Sequence, residues 1–95
     1  MTYVRLSIAK PRPGQSRHLQ EVMEKLNTFS IVQPGCTLSI VLKPHDNSGE
    51  IARISMYSDE SAAEKVANSD HMLALRSEMH LLCEPGHIER AFFSD

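Results

Sequence analysis

The fold is decided by the stretch CTLSIVLKPHDNSGEIARISMY, which covers residues 36–57. Its two halves, Cys36–Lys43 and Glu50–Tyr57, alternate between apolar and more polar side chains, and this two-residue period is typical of β-strands. The segment between them, residues 44–49, is rich in turn-forming residues and is short enough to join antiparallel strands. We therefore predict two antiparallel strands in the middle of the chain.

The residues that precede this pair predict a strand and a helix. Tyr3–Ala9 has the period of a strand, and the two prolines within residues 10–14 end it because proline donates no hydrogen bond to a sheet. Residues 15–32 have a helical period instead. The apolar positions of that helix are Leu19, Val22, Met23, Leu26 and Phe29.

The residues that follow the pair predict a helix in two pieces and a last strand. Ser58 offers a capping hydroxyl before two acidic residues, which favours a helix start. Residues 68–70 are expected to break this helix and to cap a second piece that runs from His71 to Cys83. The apolar stripe of the second piece is Met72, Leu75, Met79 and Leu82. His87–Ser94 is predicted to be the fourth strand.

The resulting β-α-β-β-α-β order predicts one α+β domain over residues 1–95, with a four-stranded antiparallel sheet and helices on one face. Each of the first three strands has an apolar side, and the opposite sides hold few charges. Helices can cover only one face of the sheet, and monomers rarely leave a large apolar patch in water. We therefore expect two copies of the chain to pack sheet against sheet as a homodimer, rather than a monomer with a half-polar outer face.

Composition and charge exclude several classes of protein. Of the 95 residues, 41% are apolar, which is enough for a packed core, and the formal net charge of -2 comes with no basic cluster for a nucleic acid. No apolar run is long enough for a membrane span, and no signal peptide is evident. The two cysteines lie too far apart for a disulfide framework, so we expect reduced thiols and a cytoplasmic protein. None of the five histidines has another at helical spacing, so no metal site is predicted.

Four segments carry a family resemblance through their order and spacing: residues 10–14 (KPRPG), 33–36 (QPGC), 57–60 (YSDE) and 69–75 (SDHMLAL). Together they resemble the antibiotic biosynthesis monooxygenase family of dimeric α/β-barrel proteins, and the last segment is similar to the family's S-x-H at a helix start. The resemblance implies a ferredoxin-like protomer, an eight-stranded barrel formed by two protomers, and a pocket between sheet and helices. It also implies a cofactor-independent monooxygenase that acts on a small aromatic or enolisable compound.

The chain departs from the haem-degrading members of that family. Those relatives carry an Asn, a Trp and a haem-ligating His where this chain has Ser7, Val66 and Arg76, and this chain contains no Trp. We therefore predict no haem and no other cofactor. The poverty of catalytic side chains on the strands keeps a second function open, namely a non-catalytic small-ligand-binding or stress-response protein of the same fold.

Two residues are candidates for catalysis. His71 opens a helix, where the helix dipole lowers the pKa of an imidazole and keeps it neutral, as a general base requires. The alternative is a surface histidine near a helix cap. Tyr57 ends the third strand, where the resemblance places an aromatic residue of the pocket.

Five further residues are candidates for substrate binding. Arg76 could hold an enolate or carboxylate, or its stem could cover apolar surface while its head reaches water. Arg5 and Ser7 share one strand face, as Arg53 does with Tyr57, and these faces meet either the pocket or the partner chain. Met72 is expected in the core or the pocket lining.

Overall fold

Seven elements follow one another in the computed structural model, which describes residues 1–95. The strands are β1 (Thr2–Ala9), β2 (Cys36–Leu42), β3 (Ile51–Tyr57) and β4 (Ile88–Ser94). The helices are α1 (Ser16–Ile31), α2 (Glu60–Ala67) and α3 (Asp70–Leu82). This confirms the predicted βαββαβ order and the division of the second helix into two pieces. No helix is both long enough and apolar enough to span a bilayer.

The four strands form one antiparallel sheet of order β2-β3-β1-β4, which is the ferredoxin-like topology. The register aligns Arg5 with Ser55 on β3 and with Ala91 on β4. The next residue along β1, Leu6, is aligned with Ile54 and Arg90. Paired residues point to the same face of a sheet, and neighbouring residues of one strand point to opposite faces. Arg5 with its two partners and Leu6 with its two partners therefore lie on opposite faces of the sheet.

The apolar core lies between the sheet and the helices. The predicted stripe of α1 is buried from Leu19 to Leu26, and Phe29 at its end is half-buried. All four apolar positions of the predicted α3 stripe are buried as well. These two stripes confirm the helical periods, and α1 packs against both α3 and the strands β2 and β3.

Both pieces of the second helix begin with a side-chain cap, but the first cap is not the residue expected. Asp59 caps α2, since its carboxylate accepts a hydrogen bond from the amide of Ala62 at 2.8 Å. The prediction of Ser58 as the capping hydroxyl was therefore wrong by one position. Ser69 caps α3 by accepting from the amide of Met72 at 3.3 Å.

The helices cover the more polar side of the strands, and no element covers the apolar side. On the uncovered face, Leu38, Ile40, Ile88 and Phe92 are between 38% and 46% exposed. The rest of this face, which we call the outer sheet face, is also mostly apolar. Its further apolar members are Val4, Leu6, Ile8, Leu42, Ala52, Ile54 and Met56.

Candidate functional site

A cavity of about 230 Å³ lies between the sheet and the helices. The helices supply mostly apolar walls, which are formed by Leu26, Ala63, Val66, Met72 and Met79. The strands supply most of the polar lining, which consists of Tyr3, Arg5, Ser7, Arg53, Tyr57, Glu89 and Arg90, while α3 adds Arg76. An apolar enclosure with a few convergent polar groups is typical of a small-molecule site.

The helix-facing side of β1 and β3 brings together most of the predicted binding residues. Arg5, Ser7, Arg53 and Tyr57 all line the cavity, so the structure decides between the two faces that the sequence left open. On each strand they are separated by an even number of positions, so they point to the same face of the sheet. The antiparallel register of β1 and β3 then brings the two sets together at the cavity. From α3, Arg76 and Met72 complete this group.

Arg53 is the most firmly held of these groups. Its Nη1 donates hydrogen bonds to the hydroxyls of Ser30, at 3.3 Å, and Ser55. Ser55 in turn lies 3.1 Å from the hydroxyl of Ser39, which donates to Asn27 Oδ1 at 2.6 Å. A chain of hydroxyls between sheet and helix α1 therefore fixes the guanidinium in place.

Three buried polar atoms around the cavity have no partner within the protein: Arg5 Nε, Ser7 Oγ and Arg53 Nε. A buried polar atom left unpaired costs on the order of 1–3 kcal/mol, so such atoms call for an explanation. Burial also lowers the pKa of the Arg53 guanidinium; Tyr57 and Cys36 oppose this shift, and the positive charge of Arg76 adds a smaller effect in the same direction as burial. Both observations indicate that this wall of the cavity would be stabilised by a bound acceptor with negative charge.

The charge around the cavity is predominantly positive. Glu89 is its single acidic lining residue, and it is paired with Arg76 across 2.9 Å. Arg5 lies against the ring of Tyr3, with its guanidinium carbon 5.5 Å from the ring centroid, and neither Arg5 nor Arg53 is paired with a carboxylate. The arrangement therefore favours a ligand that carries a carboxylate, a phenolate or an enolate.

His71 lies outside this cavity. Its side chain is exposed, and its ring stacks on that of Phe29 with centroids 4.5 Å apart, in a shallow groove between α1 and α3. The expected place at a helix start is correct, but the side of the helix is not the one that faces the cavity. The role of His71 as a general base thus stays a prediction that its position does not support.

Sequence reasoning missed three polar lining residues, Tyr3, Glu89 and Arg90. Tyr3 has the same parity as Arg5 and Ser7 on β1, and this parity is the signal that could have identified it. Glu89 is aligned with Ser7 across the β1–β4 pair, which a single sequence does not reveal.

A second cluster of polar side chains joins α3 to β4. The possible metal-ligand atoms of His80, His87 and Glu89 all lie within 4.8 Å of one another. The expectation of no metal site relied on histidine spacing within a helix, and it did not consider residues on either side of a turn. The carboxylate of Glu89 belongs both to this cluster and to the wall of the cavity.

Comparisons with known proteins agree with this architecture. Among solved structures, a protein from Mycobacterium tuberculosis has a TM-score of 0.90 at 17% identity, and the match covers 99% of this chain and 95% of that one. A conserved protein from Methanosarcina mazei has a TM-score of 0.91 at 12% identity, with 100% and 94% coverage. SnoaB, a cofactor-independent oxygenase from Streptomyces nogalater, has a TM-score of 0.85 at 15% identity, with 99% and 93% coverage.

At these identities the structural matches establish the fold alone. No curated protein matches the sequence significantly. The family model for antibiotic biosynthesis monooxygenase, however, matches residues 1–78, which is most of the chain. The chain therefore belongs to the antibiotic biosynthesis monooxygenase family.

Proposed function

We propose that this protein is a cofactor-independent monooxygenase that binds a small aromatic or enolisable compound, as an anion, in the cavity between sheet and helices. The observation that carries the proposal is the set of unpaired polar atoms on Arg5, Ser7 and Arg53 around a cavity whose lining is mostly apolar. Family membership and the fold shared with an oxygenase described as cofactor-independent support the reaction type.

The size of the cavity restricts the substrate. Its volume of about 230 Å³ is smaller than the roughly 300–1,000 Å³ of sites for drug-sized ligands. The substrate is therefore a compact molecule with an apolar body and one anionic edge. Met72 and Met79 would contact the apolar body, and the guanidinium groups of Arg5 and Arg53 would bind the anionic edge.

The cationic wall supplies the first chemical step in this proposal. A guanidinium beside a bound hydroxyl lowers the pKa of that hydroxyl, so a phenol or enol ionises on binding by releasing its proton to solvent water, without a neighbouring histidine. The resulting carbanion-like ring carbon gives electrons to dioxygen. For a phenol the reaction balances as follows: one oxygen atom becomes a quinone carbonyl, the other leaves as water with two hydrogens of the substrate, and the substrate provides all four electrons. Tyr57, buried in the same wall, would position the substrate hydroxyl.

A non-catalytic ligand-binding protein is the second candidate function. It is favoured by the absence of any histidine from the cavity lining and by the pairing of Glu89 with Arg76, which leaves no free strong base there. Such a protein would bind the same class of anion and return it unchanged.

Oxygen uptake distinguishes these two functions. The metal-free protein is incubated with a panel of hydroquinones, naphthols and β-dicarbonyl compounds in an oxygen electrode, and salicylate binding is measured separately by calorimetry. We expect oxygen uptake with at least one compound, and its loss in Arg53→Met but not in Arg17→Met, which replaces an exposed arginine of α1. Saturable salicylate binding without oxygen uptake from any compound would favour the second function instead.

We also propose that the functional unit is a homodimer in which the outer sheet faces of two chains pack together. The face is apolar on β1, β2 and β3 and at Ile88 and Phe92 of β4, with Arg90 as its charged residue, and four of its large side chains are more than a third exposed. A second copy offers an identical apolar surface, as a two-fold symmetric interface requires. Most of the cavity lining lies on the other side of the sheet, and only Leu6 and Arg90 belong both to the lining and to the outer sheet face.

A further inference from the structure

We infer that His80, His87 and Glu89 form a binding site for a divalent transition metal ion of the zinc class, next to the cavity assigned to the substrate and sharing Glu89 with its wall. His80 lies in the last turn of α3, His87 precedes β4, and Glu89 is the second residue of β4. The α3–β4 turn is what brings these three side chains together. This inference does not depend on the proposed monooxygenase function.

The distances between the ligand atoms suit a metal ion. Glu89 Oε1 lies 3.4 Å from His87 Nε2 and 3.9 Å from His80 Nε2. Bond lengths of about 2.0–2.2 Å to zinc place neighbouring ligand atoms of a tetrahedral site roughly 3.3–3.5 Å apart. One pair already has this separation, and small rotations of the exposed His80 side chain would bring in the third ligand.

Arg76 orients the carboxylate for this role. It holds Oε2 of Glu89 at 2.9 Å, which leaves Oε1 directed toward the two imidazoles. Metal-binding carboxylates are commonly held by an outer hydrogen bond of this kind. The rings of His80 and His87 also lie together, with centroids 4.6 Å apart, so both imidazoles are already on the same side of the turn as the carboxylate.

The donor set determines the class of ion. Two imidazoles and one carboxylate suit Zn²⁺, Co²⁺ or Ni²⁺, whereas Mg²⁺ and Ca²⁺ prefer oxygen ligands throughout. Three protein ligands leave a position for water, and the half-exposed side chains give an ion access from solvent. The competing explanation is that the histidines serve only as protonated partners of Glu89.

Metal titration of the full-length chain tests the inference. The protein is freed of any affinity tag, stripped with a chelator and titrated with Co²⁺ by visible absorption and with Zn²⁺ by calorimetry. We expect saturation at one ion per chain, and a loss of affinity of at least about tenfold in His80→Ala and in His87→Ala. Far-ultraviolet circular dichroism verifies that both variants remain folded.

His18→Ala is the matched control. His18 lies 3.1 Å from Glu78, so it is also an exposed histidine beside a carboxylate, but it has no third ligand nearby. This variant is expected to bind metal as the wild type does. The inference is overturned if the wild type shows no saturable binding, or if His80→Ala and His87→Ala lose no more affinity than His18→Ala.

Discussion

At the residue scale, the burial of Arg53 is unfavourable for folding, and we propose that it serves to bind an anionic ligand. Its guanidinium is buried in the cavity wall, one of its nitrogens has no partner, and burial lowers its pKa. The folded chain therefore holds a charge that would be better solvated after unfolding. A side chain kept under these conditions is typical of a binding site that is completed by its ligand.

We predict that Arg53→Met changes the free energy of unfolding by less than about 1 kcal/mol. Methionine removes the cost of burying the charge, and this gain offsets the loss at the buried Ser30 hydroxyl, whose donor is Arg53. Ser55 keeps its contact with Ser39. Urea unfolding measures this free energy, and salicylate calorimetry on the same variant should show an affinity lower by at least about tenfold, as expected for a lost hydrogen bond to a charged group. A loss of more than about 2 kcal/mol in stability would show that Arg53 is structural.

Gly35 is a second residue at which local geometry decides stability. It lies in the turn before β2 with φ of +85°, and a Cβ atom there would come within 2.6 Å of the Cβ of Ala62 and 3.2 Å of Ser58 Oγ. Gly49 also has a positive φ, of +77°, but has open space around it. An alanine at position 49 would therefore introduce backbone strain alone, whereas an alanine at position 35 would introduce backbone strain and steric overlap together.

We predict that Gly35→Ala destabilises the protein by more than about 2 kcal/mol, whereas Gly49→Ala costs only the left-handed backbone penalty of about 1–2 kcal/mol. The additional loss at residue 35 comes from pushing α2 away from the turn. Thermal and urea unfolding of both variants measure the difference. Equal losses would show that α2 moves aside without cost.

At the scale of elements, the starts of α2 and α3 are each capped by a single side chain, whereas α1 begins without a side-chain cap. The cap of α2 is Asp59, one residue after the serine that the sequence suggested. Both residues are good capping types, and only the backbone decides between them: Asp59 has the extended conformation, with φ of -158° and ψ of 172°, that a capping residue adopts. The carboxylate also lies at the positive end of the helix dipole.

We predict that Asp59→Ala lowers the free energy of unfolding by about 1 kcal/mol, because the amide of Ala62 loses its side-chain acceptor. Ser58→Ala serves as its control and should change stability by less than about 0.5 kcal/mol, since Ser58 is exposed and its hydroxyl caps nothing. Urea unfolding of the two variants checks this. The reverse order of effects would restore Ser58 as the cap.

At the scale of the whole molecule, the outer sheet face is a mostly apolar surface that no element of the single chain covers. The helices pack on the side of the sheet that carries Arg5 and Arg53, so the side with the more continuous apolar surface has no cover. The sequence argument expected an apolar sheet on both sides, and the helix-facing side is in fact mixed. Association through the outer face would remove its side chains from water without disturbing the cavity.

We predict that Ile54→Lys converts a dimer into a monomer. Ile54 lies in the middle of the outer sheet face, between Leu6 and Ile40. Because the interface has two-fold symmetry, the substitution would bury two lysines, one from each chain, and burying unpaired charges is unfavourable. Sedimentation velocity at micromolar concentration measures the change, and circular dichroism verifies the fold. Leu81→Lys replaces a 76% exposed leucine away from this face, and it should remain a dimer. A wild-type monomer under these conditions would refute the dimer.

The sequence by itself determined the elements of this protein and which side chains share a face. Helical and strand periods are local properties, so the ends of the elements agree with the structure to within one residue, and the parity of Arg5 with Ser7 and of Arg53 with Tyr57 follows directly. Only the tertiary structure decided which face of the sheet the helices cover. Periodicity defines two faces but does not say which of them receives the helices.

The side of α3 on which His71 lies and the meeting of His80 with Glu89 were likewise decided by tertiary structure. A helix start predicts the dipole around His71, but packing of the stripe from Met72 to Leu82 sets the rotation of the helix and turns His71 outward. The register of β4 against β1 places Glu89 beside Ser7, and that register depends on hydrogen bonds between residues more than eighty positions apart. Contacts of this kind leave no local pattern in a single sequence.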